Sequence, residues 1–196
     1  AFAGEFESTR KSFTSLGYSF IVAVMIMYLI LATQFSSYTN PIIILSTVMF
    51  AIIGVIFGMA LTQSLFTINS FIATVGLTGV VVNDALVLVD FLNKRYKIVG
   101  DRREAIRQAV HIRLRPILLT TLTTTLGLLP LALGIPYYSV VWGTMASTFV
   151  TGLCTATFLT ILLVPVQWEL VGRFSDWRAR RRESKAAKKA TKAAAV

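Results

Sequence analysis

The segment GVVVNDALVLVDF, Gly79 to Phe91, is apolar except for Asn83 and Asp84, which stand side by side, and Asp90. The apolar run around it covers residues 71–91, long enough to cross a hydrocarbon core of about 30 Å as a helix. Asp84 lies too deep in that span for its short side chain to reach the headgroups. Insertion scales place an Asp near a helix centre at about +2.5–3.5 kcal/mol. A cost of that size is carried for ion or proton movement, or is reduced by neutralisation or pairing inside a bundle. The plainer alternative is a protonated Asp that donates a packing hydrogen bond. At about 100° per residue, Gly76, Gly79, Asn83 and Asp90 form one small and polar stripe, with Asp84 on its shoulder. Asp90, nearer the end of the span, is placed to reach headgroups, water or basic residues.

The rest of the chain belongs to the same medium. Of its 196 residues 55% are hydrophobic and only 14% charged, against about 25% charged in a soluble domain. Mean hydropathy is +0.71. Apolar runs at 16–33, 41–61, 71–91, 116–135 and 143–168 are separated by turn or polar residues. They predict an all-α polytopic membrane protein, a five-transmembrane-helix bundle. Backbone in lipid must satisfy its own hydrogen bonds, and these runs are too long for barrel strands. The single cysteine, Cys154, lies in an apolar run, so neither a disulfide framework nor a CxxC metal site is expected. No HExxH or GxSxG motif and no second deep aspartate is present, so no catalytic residues, metal or cofactor are assigned and an enzyme is not expected.

Charge sets the orientation. Of 19 Lys and Arg, two precede the first span, eight lie between the third and fourth, and nine follow the fifth. The positive-inside rule puts 94–115 and the tail 171–196 in the cytoplasm. Residues 1–14 then form an external stub ahead of the bundle at 15–170. In DRREAIRQAVHIRLRP, Asp101 and Glu104 make a capping-box-like pair, and Ile106, Ala109, Val110 and Leu114 fall near one face. Segment 94–115 is therefore expected to hold a short amphipathic helix in the membrane interface, or to be a plain basic linker. His111, the only histidine, sits beside Arg113 and reads as structural. The tail is suited to anionic lipid, at about 1 kcal/mol per basic group. The net charge of +10 belongs to membrane-flanking segments and does not point to nucleic acid. The polar start, without an initiating Met or signal peptide, looks like the middle of something longer.

Small residues mark the helix contacts. Gly54 and Gly58 form GxxxG in the second span, and Gly152 lies among small residues of the fifth. Gly76 and Gly79 offer a similar face in the third. In the fourth, Thr120, Thr124 and Gly127 share a side.

The pairing of GVVVNDALVLVDF with the later RLRPILLTTLTTTLGLLPLALG resembles the membrane domain of resistance-nodulation-division (RND) efflux permeases. GEFESTRKSF and YLILATQFSSYTNPIIIL resemble the same family, and the likeness covers essentially residues 4–170. It implies the last five spans of a C-terminal half, a partial half-repeat led by a periplasmic stub and not competent for transport alone. The implied setting is the bilayer of a bacterial inner membrane, in a homotrimer of two-half subunits that exchange substrate for protons. The remaining half, a periplasmic adaptor and an outer-membrane channel would be partners. By this resemblance Arg113 and Thr120 match relay residues, Asn83 occupies the position of a lysine, and Asp84 that of an asparagine. Proton relay candidates are therefore Asp84, Asn83, Arg113 and Thr120. Other readings are a stand-alone membrane scaffold or structural fragment, and a relative of the Sec-pathway export membrane proteins.

Overall fold

The computed structural model describes residues 2–63, 65–135, 137 and 139–194, with side chains at the chain ends described only for 7–174, 177 and 181. Five helices follow one another: α1 (Phe2–Phe35), α2 (Thr39–Thr62), α3 (Ile68–Val99), α4 (Arg102–Ala132) and α5 (Val140–Ala194). Each holds a stretch long and apolar enough to cross a membrane, and no strand occurs among the described residues. The chain is an all-α, multi-pass membrane bundle.

The turns are short and chemically specified. Thr67 caps α3 by accepting the Ser70 N–H at 3.2 Å. Gly100, at φ 75°, ends that helix in the left-handed conformation that glycine adopts without steric cost. Asp101 then accepts the Glu104 N–H at 3.4 Å and starts α4 at once.

α5 is the centre of the bundle and touches α2, α3 and α4, while α1 packs on α2 and α3 at one edge. Ile44, Leu77, Leu88, Leu92 and Leu153 are fully buried between these helices. The α2–α5 contact is set by small residues. A Cβ on Gly54 would fall 2.7 Å from the Gly152 carbonyl oxygen, and one on Gly58 would overlap the Thr151 side chain. Gly152 in turn receives Val55 and Leu77. Such close approach lets dispersion contacts, which replace the hydrophobic effect in lipid, accumulate along the interface.

The two ends of the bundle differ. At one, Phe13 of α1 stacks on Phe66 at 5.9 Å, with Phe71 edge-on to both. At the other, here the basic end, the start of α4 meets the last turns of α3 and the middle of α5 at Trp168. Arg102 lies over Tyr96 at 4.7 Å and Trp168 at 5.6 Å, and the Trp168 Nε1–H donates to Asn93 Oδ1 at 2.8 Å. Both basic segments of the sequence therefore start from the same end.

Three boundaries differ from those expected from sequence. The stub 1–14 is, from Phe2, the first part of α1. Segment 94–115 is not a loop carrying a separate in-plane helix: it is the end of α3, a turn at Gly100, and the first half of α4, which continues through Pro116. The reason is packing on both sides of the proline. Ala105, Ala109 and Ile117, spaced by fours and eights along one ridge, are all buried. The fourth span accordingly ends at Ala132, ahead of the turn at Leu133 and Gly134. The tail backbone continues α5 to Ala194; most of its basic side chains, expected to touch lipid, lie outside the described residues.

Candidate functional site

Asp84 stands in mid-α3, between the buried residues Val82 and Ala85. It is half-buried, and among the described residues no hydrogen bond or ion pair reaches its carboxylate. Asn83, Gly79 and Gly76 are exposed. Gly79 has nothing within 4 Å of where a Cβ would be, and Gly76 has only Phe149, at 3.5 Å. Both glycines were expected at helix contacts: Gly76 meets Phe149 of α5, whereas Gly79 points away from the side of α3 that α2 and α5 occupy at Leu77, Val81 and Ala85. Asp90 does not join Asp84: it forms an ion pair with Lys94, one turn on, at 2.7 Å.

Arg113 belongs to the same α4 ridge as Ala109 and Ile117 and is thereby turned to α3. Its Cζ lies 4.7 Å from the centroid of the Phe91 ring. Phe91 is two helical turns past Asp84 on the same face, a rise of about 10 Å. α3 and α4 run antiparallel through the tight turn at Gly100. Moving two turns back along α3 therefore corresponds to moving two turns forward along α4, from Arg113 to Thr120. Asp84 and Thr120 thus lie at about the same depth, with Phe91 and Arg113 a step nearer the basic end. Thr120 is exposed and donates to Ile117 O at 2.9 Å.

The chemistry this permits is narrow. A carboxylate sits at membrane depth beside an outward-facing amide and two glycines. A permanent cation is nearby, and a hydroxyl lies level with the carboxylate. No group of three or more His, Cys, Asp or Glu suited to a metal occurs among the described residues. Asp84 can take up and release a proton, Arg113 supplies a fixed positive charge on the α4 ridge that meets Phe91, and the Thr120 hydroxyl is engaged by Ile117 O.

The polar contacts between helices were not visible in the sequence. Ser46 donates to Gln167 at 2.7 Å, Thr148 to Ser70 at 3.3 Å, and Thr121 meets Thr157 at 3.0 Å. A threonine run announces hydroxyls but not which of them face a partner. Phe91 carried no signal either, since a phenylalanine in an apolar run is ordinary.

Known proteins give this arrangement a setting. Residues 1–172 match the AcrB/AcrD/AcrF family. The swarming motility protein SwrC of Bacillus subtilis (strain 168) is 36% identical over 164 residues, which is 83% of this chain and 16% of that protein. The multidrug resistance protein MdtC of Erwinia tasmaniensis is 35% identical over 165 residues, 84% of this chain and again 16% of the relative. A heavy metal efflux pump, solved by crystallography, superposes with a TM-score of 0.77 at 28% identity, over 86% of this chain and 16% of the pump. The chain spans about a sixth of the length of these proteins. It belongs to the AcrB/AcrD/AcrF family of RND permeases.

Proposed function

We propose that this chain forms the last five spans of the C-terminal half of an efflux permease driven by the proton motive force, with Asp84 as a proton-exchanging group. The observation that carries the reading is the outward stripe of α3. Among the described residues Asp84 has no hydrogen-bond or ion-pair partner, and it stands next to the exposed Asn83 and to Gly79, which has nothing within 4 Å of where a Cβ would be. An unpaired carboxylate in lipid is costly; facing a second half of the permease, it would gain partners or water there. Transport then needs that half, so the chain alone is a transporter component and not an enzyme. The proposed setting is a bacterial inner membrane, with the basic end in the cytoplasm by the positive-inside rule. Likeness to the family supports a homotrimer working with a periplasmic adaptor and an outer-membrane channel.

The test is Asp84→Asn in the complete permease, in cells matched for inserted protein. The amide inserts more easily than a carboxylate, so a loss of export at equal protein is a loss of function. The proposal expects export to fall about tenfold or more, in line with loss of a proton-transfer group. Normal export would make Asp84 a packing residue.

A further inference from the structure

The ring of Phe91 is approached by two guanidiniums. Cζ of Arg113 lies 4.7 Å from its centroid and Cζ of Arg95 lies 5.3 Å away. Both are inside the ~6 Å at which the negative face of an aromatic ring holds a cation. Arg95 is one turn along the same helix, so its contact is local. Arg113 comes from α4, and its contact with the ring ties the two helices together at this level.

Among the described residues no hydrogen bond or ion pair holds the Arg113 side chain. Its Nε is buried without a hydrogen-bond partner. The carboxylate next to Phe91, Asp90, is engaged by Lys94 at 2.7 Å. Arg95, the second guanidinium on the ring, has the same charge and repels it. The aromatic face is the attractive contact that fixes where this guanidinium sits.

That position matters because of what lies above it. Phe91 and Asp84 share a face of α3, about 10 Å apart along the axis. A proton passing between Asp84 and the basic end travels by the charge that the ring holds. A guanidinium carries a fixed charge, so Arg113 acts only through where that charge is placed. We propose that Phe91 is the positioning residue for Arg113, holding the guanidinium beneath Asp84 through its ring face. This rests on the relay reading given above and adds to it the group that sets the geometry of the cation.

The test uses the complete permease, with proton-driven export measured in cells matched for inserted protein. Phe91→Leu keeps an apolar side chain but removes the ring face, and should lower export about fivefold, the size of one partly desolvated cation–π contact. Phe91→Tyr should stay near the parent. In an Arg113→Ala background Phe91→Leu should cost nothing further, whereas in an Arg95→Ala background it should still cost about fivefold. Fluorinated phenylalanines at position 91 weaken the ring's negative face at nearly constant shape, so they serve if Phe91→Leu fails to insert; export should fall stepwise with fluorination. A full additional loss in the Arg113→Ala background, or export indifferent to fluorination, would mean that Phe91 acts by packing and would overturn the inference. If Arg113→Ala impairs export and Phe91→Leu does not, the positioning role alone is withdrawn. If Arg113→Ala leaves export intact, the relay reading of Arg113 fails and this inference goes with it.

Discussion

Arg113 and Arg115 carry the same charge two residues apart, and the fold treats them differently. Arg113 sits on the buried ridge of α4 between Ala109 and Ile117, against Phe91. Arg115 is exposed and immediately precedes Pro116. A cation at the membrane edge contributes about 1 kcal/mol of attraction to anionic lipid whichever residue supplies it. Of these two, Arg113 is the one that rests on Phe91, which shares a face of α3 with Asp84. Arg113→Ala should therefore impair proton-driven export several-fold more than Arg115→Ala at matched expression. Equal losses would mean that only the total charge of this end matters. At this scale the sequence was partly legible. Asp84 stood out because a carboxylate in an apolar run has a cost that needs a reason. Phe91 did not, because its contact is with a guanidinium on another helix, and no spacing rule within α3 can supply that.

The helices were legible as apolar runs, and their number follows from run length against bilayer thickness. Their ends were less so, for two physical reasons. Pro116 reads as a boundary, but buried residues on either side of it keep one ridge packed and the helix continuous. A basic amphipathic segment reads as lying on a membrane, yet Ala105 and Ala109 turn its small face into the bundle. The small residues Gly54, Gly58 and Gly152 meet a partner helix within this chain, but the same pattern at Gly79 meets open space. Composition marks a close-packing face without saying what packs on it. Gly54→Ala drives a Cβ towards the Gly152 carbonyl, a backbone atom that cannot rotate away. It should cost about 1–3 kcal/mol, as overpacking does, seen as a lower unfolding midpoint of the purified permease. Gly127→Ala, with nothing within 4 Å, should leave the midpoint unchanged or raised, because alanine favours helix over glycine by up to about 1 kcal/mol. A drop for Gly127→Ala as large as for Gly54→Ala would contradict the packing described.

As a whole, the molecule has a tightly joined centre of α2, α3 and α5, with α1 at its edge. Of the most apolar stretch of α1 only 6% is buried, against 50% for α2 and α3. An apolar helix so exposed is stable only against lipid or other helices. The outward face at Gly79 and Asn83 leaves Asp84 similarly open on one side. Both features fit a segment that covers about a sixth of the length of its relatives. The central claim is that Asp84 couples proton movement to export, and it is tested most directly by proton flux. The complete permease, reconstituted in liposomes under an imposed pH gradient, should release substrate-dependent proton current that a pH-sensitive dye reports. Asp84→Asn should abolish that current while substrate still binds, and Asp84→Glu should retain part of it, since a carboxylate remains. Substrate-dependent proton flux undiminished in Asp84→Asn would contradict the account.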